Sequence, residues 1–439
     1  MTKTQKPNYT LPIIVMFFLF AMISFVTGFQ NPFGVILKEQ LGLSNLQTQL
    51  GNAANFIAYA FMGLPAGMIL QKKGYKFSAI AAVLVGIVGV AIMFISSYVK
   101  DNSSIFAVYL TGAFVAGFSM CMLNTVVNPM LNTLGGGGKT GNQLLQFGGT
   151  LNSLAATICP VLAGYLMGGS LQGLKLEAAR PLLFIAAGVF VLALIVLLLS
   201  KLPEPILEEM KKGGKKAKQP SLAGALKFHH YVGGVVAIFL YVGIEVGIPN
   251  IANLYMTNDL AMNTAVAGSV VGAYWFLMLI GRFAGGVVGG MVSPKVMLST
   301  VSAIALALIL GAILIDPAMC MVKIPFVEAT VPVNILMLVL CGLCTSVMWG
   351  GIFNLAAEGL GKYTAVASGF FMVMVCGGGI VPLIQGYVAD IAGFLQSYWV
   401  LFIAVAYLLY YALIGSRVKR VDSSAAEIKE EIKEGVMED

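Results

Sequence analysis

Apolar runs of about 20 residues or more recur along the whole chain, parted by short polar segments. This is the length a helix rising 1.5 Å per residue needs to cross roughly 30 Å of hydrocarbon. The pattern predicts helices over residues 11–37, 47–71, 76–98, 105–134, 141–167 and 179–200, then 231–257, 264–290, 294–315, 331–357, 363–389 and 394–416. The expectation is an all-α membrane protein with twelve transmembrane helices in two six-helix bundles, residues 1–200 and 231–416. Between them lies KLPEPILEEMKKGGKKAKQPSLAGALKFHH, charged, Pro/Gly-containing and too polar to enter a bilayer, which reads as a linker (201–230). The tail 417–439 alternates acid and base and reads as a solvated face.

Composition excludes a soluble protein. Of 439 residues, 59% are hydrophobic and only 10% charged, and the mean hydropathy is +0.90, more apolar surface than a soluble domain covers. The net charge of +7 does not point to nucleic acid, because the basic residues alternate between loops. Only Lys38, Lys100, Lys175, Arg180 and Lys323 fall on one side; the other 21 fall on the side shared by both termini, which the positive-inside bias places in the cytoplasm. The first apolar run continues past signal length and lacks a small-residue cleavage site. The six cysteines lie mostly inside apolar runs and read as packing, Cys341 and Cys344 included. TLGGGGKTGNQ (133–143) resembles a phosphate-gripping loop, but the glycine needed five residues before the Gly-Lys-Thr triplet is Thr133, and the flanks are too long and apolar for a strand. No cofactor is expected.

Polar groups that persist within hydrocarbon are the strongest functional pointers. Asn124, Asn128 and Asn132 recur every four residues and share one stripe of the fourth helix, near Pro129. Amides supply the paired donors and acceptors that a neutral polyol requires, whereas an ordinary interhelical hydrogen bond is the plainer reading of such a stripe. Similar depth is predicted for Gln30 and Asn31 beside Pro32, Gln146 and Asn152 in the fifth helix, Tyr241 and Asn250 in the seventh, and Trp349 and Asn354 in the tenth. Tyr274, Trp275 and Trp349 offer faces for the C–H side of a sugar ring, Tyr274 being the weakest of these. Glu245 is the one carboxylate predicted near the middle of a span, where ionisation costs roughly 2.5 to 3.5 kcal/mol. It must stay protonated, bind a cation or accept bonds from substrate, or else serve a structural bond to Tyr241. Arg282, Glu358 and Asp390 read as span-end gate or loop contacts, so no basic residue is expected near the midplane. His229 and His230 abut the linker and are given no proton-relay role. Two weakly similar halves, GLPAG before KKGYK and GRFAG before SPK, suit a carrier that rocks about a midplane site, with Gly148, Gly149, Gly285, Gly286, Gly289 and Gly377 to Gly379 permitting close, sliding backbones.

Several segments carry a family resemblance: GLPAGMILQKKGYK, LNTVVNPMLNTLG, LNS at 151–153, FLYVGIEVGI, GRFAGG, WGGIFNLAAEGLGKYT and VPLIQGYVAD. Together they resemble the fucose/galactose/glucose proton symporter family of the major facilitator superfamily over nearly the whole membrane domain. The resemblance implies the major facilitator fold and uptake of a neutral monosaccharide across a bacterial inner membrane, coupled to an ion gradient. The fucose-transporting branch carries an aspartate in the first helix and a glutamate in the fourth. Here those regions offer Gly28, Gln30 and Asn31, and Asn124, so Glu245 is left as the ion-coupling candidate, with the proton ahead of sodium. Asn152 matches the family's fifth-helix asparagine, and Trp349 its aromatic before the Ile-Phe pair; both are implied sugar contacts. The other predicted contacts are Gln30, Asn31, Asn124, Asn128, Gln146, Tyr241, Asn250, Trp275 and Asn354. The expected partners are the sugar, the coupling ion and the lipid bilayer, with the chain acting as a monomer and not as an enzyme. The alternative cargo is a sugar derivative such as a sugar acid or amino sugar, moved inward or exported.

Overall fold

The computed structural model describes residues 9–28, 33, 36–37, 40–43, 50–166, 175–205, 207–208, 220–323 and 330–418. The predicted contacts Gln30 and Asn31 lie outside the described residues. The spans are α1 (Thr10–Thr27), α2 and α3 (the two limbs of Leu50–Ser96), α4 (Asn102–Leu134), α5 (Gly138–Leu166) and α6 (Arg180–Leu199). After the linker come α7 (His229–Asn258), α8 (Thr264–Gly289), α9 (Pro294–Leu314), α10 (Val333–Thr345 and Met348–Ala357), α11 (Thr364–Val373 and Gly377–Ala392) and α12 (Phe394–Tyr410). A two-stranded antiparallel hairpin, Met321–Lys323 against Thr330–Pro332, joins α9 to α10. Large apolar side chains such as Phe61, Leu199, Leu383 and Ile403 stand outward, as lipid contact requires.

Among the described residues ten helices are long and apolar enough to cross a membrane, one of them being α2 and α3 joined. The span missing from that set is α5, which carries Asn142, Gln143, Gln146, Asn152 and Ser153. By composition α5 is the least apolar of the spans. Predicted boundaries and observed ones agree within a few residues for α3 to α9. Spans α10 and α11, predicted as single helices, are each interrupted, at 346–347 and at the 3₁₀ turn Met374–Cys376.

The α2–α3 bend shows how a local sequence makes a corner. Gly74 takes φ 82° and ψ −179°, a conformation that glycine alone adopts cheaply. Glu204, just beyond α6, then accepts from Tyr75 N at 2.6 Å and Lys76 N at 2.8 Å, capping the start of α3 from across the chain. Lys76 Nζ in turn donates to Leu198 O and Ser200 O at the end of α6, a cation on the negative end of a helix. Burial pushes the Glu204 carboxyl above the usual carboxylate range, against the lowering effect of its two backbone donors. Nearby, Gln71 Nε2 donates to Pro220 O at 2.8 Å, holding the end of the linker to the first half. We call this end of the bundle the linker side.

Within the first half, α1 packs on α4, α5 and α6; within the second, α7 packs on α8, α10, α11 and α12. The halves meet where α2 crosses α11 and where α5 lies along α8 and α10. At the first crossing the backbones touch: a Cβ on Gly369 would fall 2.5 Å from Gly63 O, so only glycine fits there. On the second, Phe147 and Gln143 press on Gly286 and Gly289 near the linker side. Gly268 and Gly272 share that α8 stripe by helical period, about three to five turns further out, and a Cβ on either would meet nothing within 4 Å. The halves are therefore in close contact at the linker side, while Gly268 and Gly272 on α8 meet no neighbour.

The bend is testable. Glu204→Ala removes both cap bonds and should lower stability by about 1–2 kcal/mol. Gly74→Ala forces a side chain into a left-handed backbone against Glu204 and should destabilise by a similar amount. Both are read as a drop in thermal melting in detergent. Two unchanged melting curves would show that Glu204 does not hold the corner.

Candidate functional site

The stripe on α4 meets α10 across the interface between halves. Asn128, fully buried, accepts from Trp349 Nε1 through its Oδ1 at 3.0 Å and donates back to Asn124 O at 2.9 Å. Asn124 Nδ2 donates to Tyr59 OH on α2 at 2.7 Å. A turn nearer the linker side, Asn354 Nδ2 donates to Asn132 Oδ1 at 2.6 Å and to Gly138 O at 3.0 Å. Below this clasp opens a cleft of about 530 Å³ lined by Tyr75, Asn132, Asn354, Glu358 and Thr364 among others. Lys139 Nζ, donating to Met291 O at 2.7 Å, ties the start of α5 to the α8–α9 turn on the same side.

The break in α10 has a use. Gln146 Nε2 reaches from α5 to Val347 O at 2.9 Å, at the point where the helix is interrupted. Further along α5, Asn152 Nδ2 donates to Phe20 O on α1 at 2.8 Å. Asn128, Gln146 and Asn354 are each at most 2% exposed. Asn124, Asn152 and Trp349 are only partly buried and retain polar or aromatic surface for a solute.

The charged centre departs from the sequence reading. Arg282, expected at a span end, sits inside α8 and pairs through Nη2 with Glu245 Oε1 at 3.0 Å, the two side chains being 12% and 17% exposed. The expectation of no basic group near the midplane is overturned with it. The same guanidinium donates through Nη1 to Ser153 Oγ at 2.7 Å and to Gly149 O at 3.3 Å, both on α5 in the other half. Arg282 thus joins α7, α8 and α5. Pro249 has no N–H, so the carbonyl four residues earlier, that of Glu245, lacks its helical partner. Tyr274 OH supplies one at 3.3 Å and also bonds Thr345 Oγ1 on α10 at 3.0 Å.

Tyr241 is fully buried, its ring 6.1 Å from that of Trp349. Its hydroxyl makes no hydrogen bond of good geometry, yet it faces both Glu245 and Arg282. The contacts therefore run unbroken from Tyr59 through Asn124, Asn128, Trp349 and Tyr241 to the Glu245–Arg282 pair and on to Ser153. Trp275 and Asn250 do not join them: Trp275 is 40% exposed and stacks edge-on against Tyr274, and Asn250 is exposed. Tyr274, the weakest of the aromatic predictions, is the one that touches Glu245. Arg282, Ser153, Tyr59 and Thr345 were missed as a site. The predicted helix 264–290 already put Arg282 eight residues from its end, about 12 Å deep, and this was the available signal. Among the described residues no group of three or more His, Cys, Asp or Glu could hold a metal ion.

Residues 16–382 match the family profile of the Major Facilitator Superfamily. The chain is 27% identical over 429 residues to the glucose/galactose transporter of Brucella abortus biovar 1 (strain 9-941), covering 95% of this chain and 96% of that one. It is 24% identical over 410 residues to the L-fucose-proton symporter of Escherichia coli (strain K12), covering 89% of each. The crystal structure of FucP in the outward conformation superposes with a TM-score of 0.78 at 22% identity, over 93% of this chain and 100% of that one, a likeness of fold.

Removing one member of a buried pair strands the other. Arg282→Gln and Glu245→Ala should each destabilise by about 3–5 kcal/mol, and the variant carrying both changes by clearly less than their sum. Denaturation in mixed micelles measures this cycle; strict additivity would mean the pair is not coupled.

Proposed function

Because the chain belongs to the Major Facilitator Superfamily, we propose that it takes up a neutral monosaccharide, a hexose or deoxyhexose such as glucose, galactose or fucose. Uptake proceeds by alternating access and is driven by a proton gradient rather than a sodium gradient. In this reading residues 1–200 and 231–416 are the rocking bundles of a monomer in a bacterial inner membrane, with no enzymatic activity. The basic bias puts both termini and the linker in the cytoplasm. The observation that carries the proposal is the Glu245–Arg282 pair, which Arg282 joins to α5 of the other half through Ser153 and Gly149.

The roles follow from exposure and free valence. Asn124, Asn152 and Trp349 are the sugar contacts: amide edges for hydroxyls and an indole face for ring C–H groups. Gln30, Asn31, Asn250 and Trp275 remain further sugar contacts proposed from sequence. Asn128 and Gln146, both buried and bonded across the interface, hold Trp349 and the α10 break in place. Asn354 with Asn132 closes the cytoplasmic exit. Glu245 is the ion-coupling residue, because a proton there removes one charge of the pair and changes what Arg282 can bind. The names of the Brucella and Escherichia relatives, a glucose/galactose transporter and an L-fucose-proton symporter, support the substrate class and the ion.

Arg282 also favours a second reading. A buried guanidinium is what a sugar acid would seek, and protonation of Glu245 would free it. In the structure the pair is neutral overall, which favours the uncharged sugar. The deciding experiment is uptake of labelled glucose, galactose, fucose and glucuronate into proteoliposomes, with proton and sodium gradients imposed separately. Concentrative uptake of a neutral sugar under the proton gradient is expected, and in Glu245→Gln accumulation should vanish while exchange of preloaded sugar persists. Accumulation of the acid alone, or full accumulation by Glu245→Gln, would overturn the respective claims.

A further inference from the structure

Building on the reading of the chain as a proton-coupled monosaccharide carrier, we propose that Arg282 is itself a sugar contact, for which the Glu245 carboxylate and a sugar hydroxyl oxygen compete. The proton and the sugar then load the site together. The starting point is the division of the guanidinium. It has five donors and no acceptor; one terminal nitrogen serves Glu245 Oε1 and the other serves Ser153 Oγ and Gly149 O. Both members of the pair keep some exposure, so neither is sealed from a solute.

A neutral hydroxyl does not displace a carboxylate, because bonds to an ionised acceptor are about twice as strong. Once Glu245 carries a proton, the guanidinium has lost its anion in a desolvated place and needs an acceptor. A sugar hydroxyl oxygen supplies it. The groups facing Glu245 are Arg282 from α8, the Tyr241 hydroxyl from its own helix and the Tyr274 hydroxyl on its backbone oxygen. Tyr241, buried and unpartnered, is positioned to bond the hydroxyl group that sits on Arg282. Only an O–H bond on Glu245 forms during loading; the proton comes from the side to which the site is open and leaves by the same bond once the other side opens. Linkage makes the coupling reciprocal: if a proton on Glu245 favours sugar on Arg282, sugar favours that proton by the same factor. Proton without sugar leaves the guanidinium short of acceptors, which disfavours a leak.

The test uses the purified full-length chain in detergent, with galactose and glucose as probes, in weakly buffered solution carrying a pH indicator. The wild type should take up about one proton per sugar bound, with affinity falling about tenfold per pH unit once Glu245 is ionised. Glu245→Gln should bind sugar with no proton uptake and no pH dependence. Arg282→Gln should bind at least about tenfold more weakly, the loss of a charge-assisted bond, and without proton uptake. Should that variant fail to fold, the double variant Glu245→Gln/Arg282→Gln, which strands no charge, decides the matter. Affinity of the double variant at least about tenfold below that of Glu245→Gln supports the contact; equal affinity overturns it, as does undiminished proton uptake in a folded Arg282→Gln. A wild type that accumulates no sugar under a proton gradient would instead sink the transport reading beneath it.

Discussion

An ion pair in the middle of a membrane-spanning bundle is costly unless each charge finds its full set of partners, because the energy of removing both from water rivals what their attraction returns. Glu245 and Arg282 meet that requirement only by drawing on two halves of the molecule. The carboxylate lies on α7, the guanidinium on α8, and two further bonds of the guanidinium go to Ser153 and Gly149 on α5. Neither half alone satisfies the arginine. The charge state of one carboxyl is thereby tied to the contact between bundles, which is the physical requirement for coupling an ion to a rocking motion.

Around this centre the amides divide into two kinds. Asn128, Gln146 and Asn354 are buried, and they bridge halves through Trp349, the Val347 carbonyl and Asn132. Each such bond is modest in energy, but together they set where α10 is interrupted and which way its tryptophan faces. Asn124 and Asn152 keep partial exposure and spare valence. Backbone irregularities serve the same region: Pro249 releases the Glu245 carbonyl to Tyr274, and the interruption of α10 sits where Gln146 arrives. Irregular backbone at membrane depth is tolerated where other groups re-satisfy it, and here α5 and α8 do so.

The interface itself is graded along its length. Glycine contacts between α2 and α11, and aromatic and amide contacts between α5 and α8, hold the linker side shut. Further out the α8 stripe meets no neighbour.

The number of spans and the family were legible in the chain because hydrophobic length and loop charge are local properties, summed over neighbours in sequence. Glu245 and the α4 stripe were legible for a related reason: a polar residue within an apolar run is conspicuous wherever it points. Arg282 was not read as part of the site, because a long cation near a helix end can snorkel to the surface, and only packing shows that it turns inward to a carboxylate 37 residues away. The same holds for Tyr274 over Trp275, neighbours of nearly equal character whose directions differ by one helical step. Which amides are sealed and which remain open, and where α10 and α11 are interrupted, depended on contacts between residues far apart in sequence, and those exist only once the two halves have closed on each other.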